Sequence, residues 1–230
     1  IPITKPMVYR YSKPDKGELY RPFEIVPPVS ASLRDKVFIF ENDQQKDIEV
    51  VIKAGKDNIE GFVQMAYPND WSVYPEKQKI KIENKGDAQT LVFTVIPPKN
   101  QSEGLITPIV NLDGEFYTKE LIEIDYNHIP FQTVYLPSES KLVRLNIQKR
   151  GNNIGYIEGA GDVVPESLQQ IGYNVTIIKP ENISADNLSE FDAIVIGIRA
   201  YNILDELKFK QKFLLEYVKD GGNMIVQYNT

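Results

Sequence analysis

Five side chains in the last third of the sequence have the types and spacing to form a polar site. Glu158 and Asp162 flank a glycine-rich turn that carries Gly155, Gly159 and Gly161 and follows an apolar run. Arg199, Tyr201 and Asn202 follow a second apolar run at 191–196. A mixed lining of carboxylates, guanidinium, phenol and amide suits hydroxyl groups, or a carboxylate held by arginine. The same groups can close on one another, with Arg199 paired to Glu158 or Asp162 as a structural tie. A dinucleotide is the less favoured reading: the G-x-G-x-x-G spacing fails at Val164, and two carboxylates would repel a pyrophosphate at a helix N-terminus. The turn reads instead as a tight strand-to-helix connection with Asp162 capping the helix. Trp71 offers a sugar-stacking face or, as the more favoured reading, a sandwich core anchor. His128 lies in Tyr126-Asn-His-Ile-Pro130 with no Ser, Asp and His arrangement to act with, and reads as a packing or hydrogen-bonding residue rather than a catalytic one.

Composition narrows the chemistry further. The 230 residues contain no cysteine and one histidine, which removes thiolate catalysis, disulfides and any metal site needing two imidazoles. No catalytic residue, metal ligand or cofactor is expected in this chain. The net charge is −6 with scattered charges, so there is no basic footprint for nucleic acid and no polybasic membrane patch. No apolar run is long enough for a membrane helix. Hydrophobic residues at 42% and charged residues at 25% describe a globular protein. The chain opens Ile1-Pro2 without an initiator Met and closes on an apolar strand, so both ends read as cut from a longer protein.

The elements that must position these residues fall into two halves. Twelve of fifteen prolines lie at or before Pro130. Ahead of that point, short alternating runs such as Asp47-Ile-Glu-Val-Val-Ile-Lys53 and Thr90-Leu-Val-Phe-Thr-Val-Ile96 are separated by turn signals. This is the pattern of an antiparallel sandwich, with Asp113-Gly114 as a hairpin turn. Beyond it the period changes. Strand-like runs at 153–158, 174–178, 191–196 and 223–226 alternate with helical stripes, which predicts parallel βαβ units. The expected fold is an extended segment over 1–19, an immunoglobulin-like sandwich over 20–136, and a flavodoxin- or amidotransferase-like α/β domain over 137–230. That α/β domain is expected to be truncated at its C-terminus.

Several stretches carry a resemblance. Tyr126-Asn-His-Ile-Pro-Phe-Gln-Thr-Val-Tyr-Leu-Pro137, Gly151-Asn-Asn-Ile-Gly-Tyr-Ile-Glu-Gly-Ala-Gly-Asp-Val-Val-Pro165, Phe191-Asp-Ala-Ile-Val-Ile-Gly-Ile-Arg-Ala-Tyr-Asn202 and Gly221-Gly-Asn-Met-Ile-Val-Gln-Tyr-Asn229 together resemble the C-terminal region of PIG-L (LmbE-like) deacetylases of the Bacteroidetes type. In those proteins a preceding domain holds zinc through an Ala-His-Pro-Asp-Asp motif and removes acetyl from an N-acetylated sugar. That motif is not in this sequence, so the resemblance places zinc only in a domain ahead of Ile1. Tyr67-Pro-Asn-Asp-Trp-Ser-Val-Tyr-Pro75 and Val92-Phe-Thr-Val-Ile-Pro-Pro98 are similar to the module that accompanies carbohydrate-binding domains in alpha-galactosidases. The second half resembles class I glutamine amidotransferases, whose nucleophilic Cys follows the strand matching 223–226. Gln227-Tyr228-Asn229 stands there instead.

The resemblance implies a non-catalytic accessory region with carbohydrate and its own N-terminal catalytic domain as partners. It also implies an extracytoplasmic, periplasmic or secreted bacterial location. Two alternatives stay open. One is an enzyme or ligand-binding domain whose strand-end site is completed beyond residue 230, and the other is a structural or protein-interaction module.

Overall fold

The computed structural model describes residues 7–15, 17–126 and 128–229. The chain divides into two compact units. One comprises the residues up to Phe38 with Asp43–Val143, and the other Ile39–Asn42 with the residues from Arg144 onward.

In the first unit β1 (Val8–Lys13) and β2 (Gly17–Pro22) pair as an antiparallel hairpin. Then come β3 (Val29–Leu33), β4 (Val37–Phe40, whose last two residues are counted with the second unit), β5 (Lys46–Ala54) and β6 (Ile59–Ala66), followed by β7 (Ser72–Tyr74) and β8 (Gln78–Ile82). The long strands β9 (Ala88–Ile96) and β10 (Ser102–Leu112) precede β11 (Glu115–Tyr117), β12 (Lys119–Ile124), β13 (Gln132–Pro137) and β14 (Ser140–Arg144). One sheet runs β3-β5-β9-β7; a second runs β4-β14-β10-β6-β8, with β11 added beside β10; β12 and β13 form their own ribbon.

Alternation dictates which face of each strand is buried. In β6, Ile59, Val63 and Met65 point inward while Glu60, Phe62 and Gln64 do not. Between β5 and β9, Ile48 lies opposite Phe93 and Val50 opposite Leu91, and all four are buried. Asp113 and Gly114 both take positive φ (52° and 89°), as the two-residue hairpin turn between β10 and β11 requires.

The second unit holds four parallel strands in the order β16-β15-β17-β18: β15 (Asn153–Ile157), β16 (Asn174–Ile177), β17 (Ala193–Ile196) and β18 (Asn223–Val226). Four α-helices lie between them: α1 (Val164–Gln170), α2 (Ala185–Leu188), α3 (Ala200–Ile203) and α4 (Leu207–Lys219). Ile157, Ile194 and Ile196 pack with Leu188, Leu207 and Leu214; Ile154, Tyr156 and Val195 form a smaller cluster with Val164 and Leu168.

This architecture corrects the fold class expected from the sequence. Strands make up 47% of the chain and helices 14%, so the protein is mainly β and spread over several sheets. The flavodoxin- or amidotransferase-like α/β second domain is not shown. Its strands are four or five residues long, and α1, α2 and α3 span seven, four and four residues. The sequence pattern marks the order of these elements but not their extent, and with only α4 (13 residues) longer than two turns the helices make a thin covering layer. Strand β14, which the sequence reading placed at the head of the second domain, is hydrogen-bonded into the sandwich beside β10. No helix among the described residues is long and apolar enough to cross a membrane.

Truncating Phe93, wholly buried opposite Ile48, removes a ring from the centre of the β5–β9 pair. Phe93→Ala is expected to lower unfolding free energy by about 3–5 kcal/mol in chemical denaturation. A loss near zero would contradict the central position assigned to this pair.

Candidate functional site

Strands β15 and β17 are neighbours, with Ile154 opposite Ala193 and Ile157 opposite Ile196. Their following loops therefore emerge side by side at the carboxyl end of the sheet, where open parallel sheets place ligands. Backbone hydrogen bonds tie these loops. Gly197 N–H donates to Ile157 O at 2.8 Å, and Ala160 N–H donates to Ile198 O at 2.7 Å. The approach is so close that a Cβ on Gly159 would sit 2.0 Å from Ile198 O. This close contact explains the glycine there without a cofactor.

Asp162 faces inward on this cluster. It accepts from Tyr156 Oη at 2.6 Å and from Val164 N–H at 2.9 Å. Val163 occupies the helix N-cap position, so Asp162 acts from one residue further back than the sequence suggested and still satisfies a first-turn N–H. Tyr156 is 1% exposed, and its hydroxyl also accepts from Gln227 Nε2 at 3.1 Å. Burial, then the Asp162 carboxylate, pushes this phenol well above the ordinary tyrosine range. The phenol therefore stays a neutral donor and is unsuited to act as a base near neutrality.

The β18 end is tied to the same cluster. Gln227 N–H donates to Ile196 O at 2.9 Å, Arg199 N–H to Tyr228 O at 2.8 Å, and Tyr201 N–H to Asn229 Oδ1 at 3.0 Å. Arg199 holds a left-handed backbone (φ 57°) just ahead of α3, with its carbonyl accepting from Asn202 N–H at 2.9 Å. Its side chain is exposed, and its guanidinium has no ion-pair partner among the described residues. Tyr201 is half-buried and burial raises its phenol, while Glu158 and Asn202 are exposed. The structure thus brings Asp162, Tyr156 and Gln227 into hydrogen-bonded contact and places Glu158, Arg199 and Asn202 on the adjoining surface.

The sequence reading named Asp162 but missed Tyr156. The available signal was a single polar-tipped residue inside an otherwise apolar strand. The sugar-stacking reading of Trp71 is corrected: the ring is 2% exposed and its Nε1–H donates to Ser102 Oγ at 3.1 Å, leaving no face for a pyranose. His128 is exposed in the turn between β12 and β13, with its ring centroid 5.8 Å from that of Tyr126.

No family model matches the sequence, and no curated protein matches it. Among solved structures the chain is similar to Escherichia coli alpha-2-macroglobulin from domain MG7 to the C-terminus. There the identity is 12%, over 51% of this chain and 16% of that one, with a TM-score of 0.32. A family 123 glycoside hydrolase from Clostridium perfringens shows 10% identity over 85% of this chain and 37% of that one, with a TM-score of 0.28. The chain thus spans well under two thirds of either protein, and likenesses at these TM-scores bear on neither fold nor function.

Two substitutions separate the structural from the exposed part of the cluster. Tyr156→Phe removes one donor to Asp162 and the acceptor of Gln227, and is expected to cost about 1–3 kcal/mol. The raised phenol also sets a sign. Above pH ~10 the unfolded chain loses this proton while the folded chain keeps it, so stability falls as pH rises. Tyr156→Phe should flatten that alkaline decline in pH-dependent melting curves, and an unchanged slope would refute the assignment. Arg199→Ala should leave the melting temperature nearly unchanged, because an exposed, unpaired side chain contributes within about 0.5 kcal/mol. A fall of many degrees would reveal a structural ion pair.

Proposed function

We propose that the chain is a non-catalytic accessory region of a PIG-L-like N-acetyl-sugar deacetylase, serving glycan positioning or docking to the zinc domain of the same protein. The observation that carries this reading lies just after β18. There Gln227 donates to Tyr156 and Asn229 accepts from Tyr201, so both side chains hold loops and neither is free to react. The sequence motifs at 126–137, 151–165, 191–202 and 221–229 supply the family. The residues present do not fit the family's catalytic zinc. Among the described residues there is no group of three His, Cys, Asp or Glu side chains that could hold a metal ion, and a catalytic zinc needs three protein ligands and an open position.

One observation favours a second reading. An anchor for a ligand carboxylate must be accessible and uncommitted, and the Arg199 guanidinium meets both conditions. In that reading the chain is a ligand-binding domain with its site at the strand carboxyl ends.

The purified chain, supplied with zinc and an N-acetylglucosaminyl substrate, is expected to release no acetate and to retain no stoichiometric zinc. Acetate release together with bound zinc would overturn the accessory reading.

A further inference from the structure

The first unit contains a cavity of about 410 Å³, within the ~300–1,000 Å³ range of small-molecule sites. One side is charged, lined by Arg21, Glu24, Lys53, Lys85 and Glu123; Tyr9 and Phe23 line it as well. None of these residues belongs to the strand-end cluster.

The charged side is a network with its acceptors already engaged. Glu123 accepts from Lys53 Nζ at 2.7 Å and from an Arg21 Nη at 3.0 Å. Its carboxyl is held below the usual range, first by the Lys53 hydrogen bond. Glu24 accepts from Arg21 at 3.2 Å and from the Thr133 hydroxyl. The Arg21 guanidinium also lies 3.8 Å from the centroid of the Phe131 ring, which fixes its plane. Both carboxylates are therefore occupied, whereas donors remain. An ammonium carries three N–H bonds and a guanidinium five. The Lys85 ammonium has no partner among the described residues. Three cations against two carboxylates leave one unit of positive charge on the cavity wall. Tyr9 and Phe23 are 64% and 60% exposed; Tyr9 stacks one ring face on Tyr11 at 5.7 Å between centroids, which leaves its other face and the Phe23 ring for a ligand.

We propose that this cavity binds a sugar bearing one carboxylate, a uronic-acid residue, with the carboxylate at Lys85 and the Arg21–Lys53 pair and the apolar sugar face against Tyr9 or Phe23. A single carboxylate matches the single excess charge. Ring hydroxyls take the remaining N–H donors, and the aromatic faces take the C–H surface that a simple inorganic anion lacks. The site deepens the glycan-positioning side of the accessory reading, but it stands on different residues and is read out without any deacetylase.

The test is an NMR titration of the whole chain with glucuronate, with glucose as the uncharged counterpart. Glucuronate is expected to shift amides around Tyr9, Phe23, Gly55 and Gly86 saturably, and glucose to leave them in place at equal concentration. Lys85→Met, whose side chain is exposed, should weaken glucuronate binding about fivefold or more by removing a charge-assisted hydrogen bond, with the melting temperature unchanged. Tyr9→Ala should weaken it independently. Absence of saturation, equal binding of glucose, shifts confined to other residues, or full affinity in Lys85→Met would each overturn the site. A negative titration combined with no acetate release would remove this pocket and leave the accessory reading standing.

Discussion

The eight-residue register between β5 and β9 is the constraint on which the first unit depends. Ile48 opposite Phe93 and Val50 opposite Leu91 set one face of the sheet toward the core, with Asp47, Glu49 and Val92 on the other. A slip of one residue would set Glu49 opposite Phe93 on a shared face, so that either Glu49 enters the core or Phe93 leaves it for water. Every other pairing in that sheet inherits this choice. β3 adds to β5 with Ala31 opposite Ile52, and β7 adds to β9 with Val73 opposite Val95.

The second unit relies on a different device. Its strands are short, so much of its order at the carboxyl end comes from the loops themselves. Main-chain bonds join the loops after β15, β17 and β18, and the buried Tyr156 phenol collects Asp162 from one loop and Gln227 from another. A buried phenol bonded on both sides fixes the direction of its partners, because either one left unpaired would carry the full desolvation penalty. The surface above this network carries the exposed side chains of Glu158 and Arg199 beside Asn202.

The sandwich half was legible in the sequence because period-2 burial is a local signal. The alternations at 47–53 and 90–96 and the Asp113-Gly114 turn each specify their own conformation. The second half was legible only in the order of its elements. Continuous apolar runs mark buried strands but carry no information on how far each extends or how much helix covers it. Asp162 was found because a carboxylate beside a glycine turn is conspicuous. Tyr156 was not, since its importance comes from Gln227, 71 positions away, which no local pattern connects. The Arg21–Glu123–Lys53 network escaped for the same reason, with Arg21 and Glu123 separated by 102 positions.

The partnership of β4 with β14 has a consequence for how the chain reaches its fold. Ser140 Oγ donates to the Asp35 carbonyl at 2.5 Å across a separation of 105 residues, and Lys141 N–H donates to Lys36 O at 2.8 Å beside it. The entropy of closing so long a loop is lost before the contact returns anything, so topologies of this kind fold on the millisecond-to-second scale rather than in microseconds. During synthesis at about 5–20 residues per second, β4 would wait several seconds with one edge open until β14 leaves the ribosome. A chain that emerges in this order depends on chaperones or on the charged residues flanking that edge, Arg34, Asp35 and Lys36, to keep the waiting strand from pairing with a neighbour.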